Sequence, residues 1–221
     1  MNKKLIFAVL ILFIAISFLS DMISRDKKIF FPVSYKEQYS VTQQLINGLL
    51  GQFGKTVAGY LWIKADFYSH EYKGDWRSET DYMPLLKMIT FLDPNFTQAY
   101  SFGGYHLAKN LDKQHEGIAY LKEGLQYNPN NYDINYTLAF IYFRKSKNYY
   151  GAMKYAEKAL KLSKEDTDKM NCYRIIYNSQ DKLGLYQDEI NTLEEMIKLS
   201  IGNKVYENKL EEVRKKIKGK K

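Results

Sequence analysis

The chain is poor in the residues from which metal and redox sites are usually built. Its 221 residues include a single cysteine, Cys172, and three histidines, His70, His106 and His115. One thiol excludes an internal disulfide and any CxxC motif, and no histidine has a second ligand at a metal-binding spacing such as HExxH. The glycines also lack the GxxxxGK[ST] order of a phosphate-binding loop. We therefore predict no metal, no cofactor, no catalytic residues and no enzymatic activity.

The body of the chain also lacks an excess of charge of either sign. The net charge of +8 comes from the two ends, because residues 1–28 carry +3 and residues 204–221 carry +5, whereas residues 29–203 hold 20 basic and 20 acidic side chains. A nucleic-acid-binding protein concentrates its basic excess on a folded face. The distribution therefore argues against nucleic acid as a partner.

Only the N-terminus contains a long apolar run. Residues 5–19 follow two lysines and contain no polar side chain except Ser17, and extension to Ile23 reaches a length that can span a bilayer. A small-x-small cleavage motif ends at Ser17, but the apolar run continues beyond it, so we favour a retained signal-anchor over a cleaved signal peptide. The flanking basic residues do not decide the orientation, and the two-lysine leader favours a domain outside the cytoplasm. We predict a single-pass cell-membrane protein anchored by residues 1–28.

The remainder of the chain is repetitive. The tripeptide DPN at residues 93–95 recurs as NPN at residues 128–130, with the two prolines 35 residues apart. Two sets of equivalent positions follow in the helical pattern downstream, namely Gly117, Ala152 and Glu189 in one and Gly124, Ala159 and Met196 in the other. A period near 34 with paired helices, closed by a proline, is typical of the tetratricopeptide repeat (TPR).

On these residues, positions 58–200 resemble TPR proteins. The segments LWIKADFYSHEY, FLDPNF and AYSFGGYHLA also resemble a group of membrane-anchored bacterial repeat proteins. The resemblance and the helical periodicity predict an all-α, TPR-like solenoid of three to four helix pairs with a capping helix, preceded by one transmembrane helix. We divide the chain into an anchor (1–28), a connector and helix (29–57), the solenoid (58–200) and a capping helix with a basic tail (201–221).

Two finer predictions concern the glycines. Four glycines interrupt the helical pattern between residues 48 and 59, and we expect a break between Gly51 and Gly54. In the second repeat, helices are expected over residues 97–109 and 115–127, and Gly103 and Gly104 allow the two helices to approach closely.

In TPR proteins, the first helix of each pair lines a concave groove that binds a partner. Aligned with a one-residue loop insertion in the second repeat, the family positions imply groove residues Tyr105, Lys109, Ile141, Arg144, Lys145, Arg174 and Asn178. Some family members hold a terminal carboxylate with a Lys and an Asn one helical turn apart, and Arg174 and Asn178 have that spacing. One hypothesis is therefore that the groove accepts an acidic or C-terminal peptide segment. The alternative is a set of solvated charges at helix ends.

We expect this protein to be a membrane-anchored adaptor or scaffold that mediates protein–protein interactions in a bacterial cell-envelope complex, without a small-molecule substrate. Two other interpretations remain open. The chain could be a non-catalytic accessory subunit of an envelope enzyme or of a secretion or pilus machine. It could also be a self-assembling scaffold that uses the apolar faces around Trp62 and Phe67.

Overall fold

The computed structural model describes the backbone of residues 35–76 and 80–218 and the side chains of residues 51, 53–76 and 80–218. Contacts divide the chain into two units, Met1–Thr42 and Gln43–Lys221. The anchor expected over residues 1–28 lies outside the described residues. Among the described helices, none combines the length and the apolar content that a bilayer crossing requires.

Every regular element in the described ranges is an α-helix. The helices are α1 (Tyr35–Glu71), α2 (Tyr82–Leu92), α3 (Thr97–Lys109), α4 (Gln114–Tyr127), α5 (Tyr132–Arg144), α6 (Tyr149–Leu162), α7 (Asp166–Leu183), α8 (Tyr186–Leu199) and α9 (Lys204–Lys218). The bounds expected for α3 are reproduced, and α4 begins one residue earlier than expected. The expected break also exists, because Gly51 has φ 47° and ψ −126° within α1, a positive φ that glycine tolerates better than other residues.

The pairs α3/α4, α5/α6 and α7/α8 repeat one arrangement. Each first helix packs against its own partner, and the first helices of successive pairs also touch, α3 with α5 and α5 with α7. Hydrogen bonds join residues about one period apart: Asn128 Nδ2 donates to the Pro94 carbonyl oxygen at 2.9 Å, and Lys216 Nζ donates to Asp181 Oδ1 at 2.7 Å. The DPN and NPN motifs thus connect adjacent repeats. The result is an all-α repeat solenoid.

Glycines allow the close contact between α3 and α4. A Cβ atom at Gly104 would lie 2.3 Å from Leu121 Cγ, and one at Gly117 would lie 2.6 Å from the Gly104 carbonyl oxygen. Real Cβ atoms do not approach other heavy atoms so closely, so only glycine fits these positions without movement of the helices. The expectation that glycine permits this approach is confirmed. The equivalent Ala152 and Glu189 are also fully buried.

Helix α9 closes the C-terminal end of the solenoid, as expected. Its apolar side chains Tyr206, Leu210 and Val213 are buried in a cluster with residues of α8. Its polar face carries exposed charges, among them Arg214, whose Nη2 donates to Glu194 Oε1 at 2.9 Å. Such a polar outer face suits the last repeat of the described chain, whose outer side no described repeat covers.

Glu189 is a buried acid at a position that holds glycine or alanine in the other repeats. Its side chain is fully buried on α8, and neither carboxylate oxygen has a hydrogen-bond partner. Burial, followed by the nearby carboxylate of Asp181, raises the pKa of Glu189. The ionised form therefore destabilises the folded state at neutral pH.

We expect Glu189→Gln to increase the free energy of unfolding at pH 7 by about 1 kcal/mol, because the buried charge is removed. Since the folded-state pKa exceeds the unfolded value, the wild-type penalty is absent below the unfolded pKa and grows as the pH rises towards the folded pKa. The difference between variant and wild type should therefore shrink when the pH falls to about 4. Urea unfolding at both pH values measures it. A difference that is equal at both pH values would contradict the assignment.

Candidate partner-binding groove

A pocket opens between the first helices of the second and third pairs, α3 and α5. Its volume is about 450 Å³, and it is lined by Gln98, Ser101, Phe102, Tyr105, Asp133, Tyr136 and Thr137. We call the surface formed by these residues, together with Phe140, the groove. The Phe140 ring belongs to it because its centroid lies 5.8 Å from that of Tyr105. Four of its eight side chains are aromatic, so the groove is mainly an apolar surface with a few polar groups.

The groove residues of α3 and α5 correspond with an offset of 35 residues. Gln98 corresponds to Asp133, Ser101 to Tyr136, Phe102 to Thr137 and Tyr105 to Phe140. This offset equals the spacing of the two prolines, and α3 and α5 begin at Thr97 and Tyr132, the same distance beyond them. The two helices therefore present the same face, without the one-residue insertion that the sequence alignment assumed.

The assignment of Ile141 to the groove is wrong. Ile141 is 1% exposed and belongs to a core cluster that also contains Leu107 and Leu138, so it offers no surface to a partner. Phe140 takes its place. A shift of one residue turns a side chain by about 100° around a helix, which is enough to exchange a groove position for a core position.

The groove extends beyond the residues expected from the sequence. Phe102 is exposed, and its ring lies 5.3 Å from that of Trp62 in an edge-to-face arrangement, so aromatic contacts continue from α3 to α1. Sequence reasoning missed Gln98, Phe102, Asp133, Tyr136 and Phe140 as groove residues. The 35-residue proline spacing, applied from Tyr105, would have identified Phe140.

Three of the expected cations lie near the C-terminal ends of α3 and α5. Lys109 Nζ donates to the Tyr105 hydroxyl oxygen and lies 4.9 Å from the centre of its ring. Arg144 is exposed and occupies the position that corresponds to Lys109 with the 35-residue offset. Lys145 pairs with Asp112 in the turn after α3, with Nζ 3.1 Å from Oδ1. Lys109 and Arg144 are thus at the groove edge, whereas Lys145 links two repeats.

The expected carboxylate-binding pair lies on α7, outside the pocket lining. The Arg174 guanidinium donates to the Tyr206 hydroxyl oxygen at 3.1 Å and to Asn171 Oδ1 at 3.3 Å. Asn178 Nδ2 donates to the backbone carbonyl oxygen of Arg174 at 2.6 Å. The Asn178 amide therefore donates to its own helix, whereas the Arg174 side chain is exposed to a ligand. Binding of a terminal carboxylate by this pair stays a prediction, and it depends on Arg174.

The groove has an acidic edge and a basic edge. Asp133 and Asp168 lie in the first turns of α5 and α7, and desolvation followed by the Asp168 carboxylate raises the pKa of Asp133. Burial also raises the pKa of Tyr136, while Arg174 and Arg144 act in the opposite direction. Both guanidinium charges therefore act electrostatically on one groove hydroxyl. Acids at helix N-termini and cations at C-termini also suit the helix dipoles.

The side chains of the groove are suited to binding another molecule. The aromatic side chains can pack against an apolar side chain, and the two charged edges can orient a ligand.

The Cys172 thiol is buried, and burial raises its pKa to about 11, so it is protonated and unreactive at neutral pH. Within residues 35–76 and 80–218, no three His, Cys, Asp or Glu side chains are grouped so that they could hold a metal ion.

Solved structures share this arrangement of helix pairs. The crystal structure of MamA aligns with a TM-score of 0.54 at 16% identity and covers 78% of this chain and 96% of MamA. The crystal structure of PilW, described as a widely conserved type IV pilus biogenesis factor, aligns with a TM-score of 0.51 at 14% identity and covers 75% of this chain and 71% of PilW. No protein-family model and no curated protein matches the sequence. The paired helices, the period of the repeat contacts and these two structures show that the chain has an all-α repeat fold of the tetratricopeptide type.

Proposed function

We propose that the chain is a membrane-anchored scaffold that binds a segment of a partner protein in the groove between α3 and α5. The observation that carries the proposal is the aromatic pocket formed by Phe102, Tyr105 and Tyr136 beside Phe140. Its volume falls within the range of pockets that bind ligand groups, roughly 300–1,000 Å³. Aromatic anchors of this kind supply most of the affinity at protein interfaces.

The charged edges favour a particular orientation of the bound segment. An extended segment that crosses the first helices in turn has one side near Lys109 and Arg144 and the other near Asp133 and Asp168. We therefore propose a partner segment that places an apolar side chain in the pocket and an acidic group, from a side chain or a C-terminus, beside the cations. Exposed charge pairs contribute only about 0.2–1 kcal/mol each, so they set orientation more than affinity.

The anchor completes the proposed function. The apolar run over residues 5–19 supports tethering to the bacterial cell membrane, with the repeats on its outer side. Tethering two proteins to one membrane raises their effective concentration, so that contacts with one pocket suffice for assembly.

Site-specific photocrosslinking in cells tests the groove. A photoreactive residue at Thr137, inside the pocket, is expected to form an adduct with one partner protein. The same residue at Glu157, which is exposed on α6, is the control and should give at most a tenth of that adduct. Equal adducts from both positions, or none from Thr137, would reject the groove as the binding site.

A further inference from the structure

Helix α1 carries an exposed apolar stripe. Phe53, Tyr60, Ile63 and Phe67 are 65%, 58%, 68% and 68% exposed. Their spacings of 7, 3 and 4 residues place them on one face of the helix. We call these four residues the α1 stripe. They make up four of the ten large hydrophobic residues that are strongly exposed in the described part of the chain.

The opposite face of α1 is already occupied by the core. Ala58 and Ala65 are fully buried in a cluster with residues of α2 and α3, and Leu61, Trp62 and Tyr68 pack against that cluster. The helix is therefore apolar on two sides. A helix that is apolar on both sides is typical of one with neighbours on both sides, and the described part of this chain supplies neighbours on one.

The position of α1 in the solenoid explains why this helix has a second apolar face. With α2 it forms the first helix pair, and α3 follows on its packed side. A preceding repeat would cover the stripe, just as each later pair is covered by the pair before it. The two ends of the solenoid differ in this respect, because the outer face of α9 is mostly charged, with Val205 as its strongly exposed large apolar side chain, whereas α1 presents the four residues of the stripe.

We propose that the stripe is covered by the stripe of a second copy of this chain. Head-to-tail pairing would place the stripe against the charged surface of α9, which cannot bury it favourably. Pairing of like faces about a two-fold axis covers both stripes and forms a closed dimer. With the two α1 helices antiparallel and Tyr60 near the axis, Phe53 of one copy meets Phe67 of the other, since both lie seven residues from Tyr60.

The area of the stripe is sufficient for a weak dimer. Large aromatic side chains bury about 150–250 Å² each, so three of them and the somewhat smaller Ile63, all about two-thirds exposed, offer on the order of 500 Å² per copy. The pair would remove about 1,000 Å² from solvent, which is the lower limit for a specific interface. We therefore expect a dimer with a dissociation constant in the micromolar range, which membrane tethering would favour.

Cysteine crosslinking of the full chain in membranes tests the geometry. The only native cysteine, Cys172, is buried, so the wild type is a suitable background. Under mild oxidation, Tyr60→Cys is expected to convert more than half of the chains to a covalent dimer. Val205→Cys, at a site that is 69% exposed at the other end of the solenoid, should give at least fivefold less. Equal crosslinking at the two sites would overturn the proposal.

A second pair of variants tests whether the crosslink at Tyr60→Cys depends on the apolar character of the stripe. Tyr60→Cys combined with Ile63→Glu and Phe67→Glu should crosslink at least fivefold less than Tyr60→Cys alone, because the stripe is then charged. Tyr60→Cys combined with Ile201→Glu and Val205→Glu, which adds the same charge at exposed sites, should crosslink as before. If Tyr60→Cys remains monomeric, the proposal is wrong. Reduced vesicle binding of the Ile63→Glu/Phe67→Glu variant would then identify a lipid surface, and unchanged binding would indicate coverage by another part of the same chain.

Discussion

Replacing Gly117 by alanine is expected to lower the free energy of unfolding by about 2–3 kcal/mol. The new Cβ would lie 2.6 Å from the Gly104 carbonyl oxygen and 3.2 Å from Ala108 Cβ. The first of these is a backbone atom, so relief requires α3 and α4 to separate. Their separation disturbs the packing of Tyr120 and Leu121 in the largest core cluster. At this size of chain, the loss corresponds to roughly 4–12 °C in melting temperature.

Gly59→Ala is the matched control for this prediction. Gly59 lies in α1, and a Cβ there would meet no atom within 4 Å. Because alanine is the better helix former, this variant should gain about 0.5–1 kcal/mol. Thermal unfolding followed by circular dichroism measures both variants. A Gly117→Ala protein as stable as Gly59→Ala would show that the close helix contact is not tight.

Reversing two cations, with Arg144→Glu and Arg174→Glu, is expected to weaken binding of the groove partner more than tenfold. Both guanidinium groups act on the hydroxyl of Tyr136, so the change alters the field inside the groove. A tenfold loss is about 1.4 kcal/mol, which is the scale expected when two exposed attractions become repulsions. The measurement is the affinity of the partner captured through Thr137.

The control for the charge reversal is Lys154→Glu with Lys158→Glu on α6. Both lysines are exposed, and the change in net charge is the same, but the positions lie outside the groove. Binding by this control should stay within twofold of the wild type, and both variants should keep their helical content. Equal weakening by the two variants would mean that net charge, and not the groove, controls binding.

The sequence predicted the repeat architecture well because its signals are local. The prolines after α2 and α4 stop helices, and the small residues at Gly117 and Ala152 mark the contacts within pairs. The apolar pattern of α9 also identified the cap. Each of these signals lies within a few residues of the feature that it predicts, so one sequence was sufficient for the element bounds and for the small residues at the helix contacts.

The groove was predicted less well because a groove depends on rotation about the helix axis. Tyr105 was predicted and lines the pocket, and Lys109 and Arg144 stay predictions, but a single inserted residue in the alignment replaced Phe140 by Ile141. No local pattern distinguishes these two apolar neighbours. Their difference arises only when α3 and α5 lie side by side, so that Phe140 faces Tyr105 and Ile141 faces the core.

For the α1 stripe, too, the sequence determined some properties and only the tertiary structure decided the others. The amino-acid order made α1 a helix, placed the break at Gly51 and supplied apolar residues on two sides of it. The order could not tell which of those residues are buried, because each apolar side chain has the same preference to leave water. Packing against α2 and α3 buried Ala58 and Ala65 and left Phe53 and Phe67 exposed. Whether a side chain is buried depends on neighbours that are distant in sequence, so burial is decided only when the chain folds.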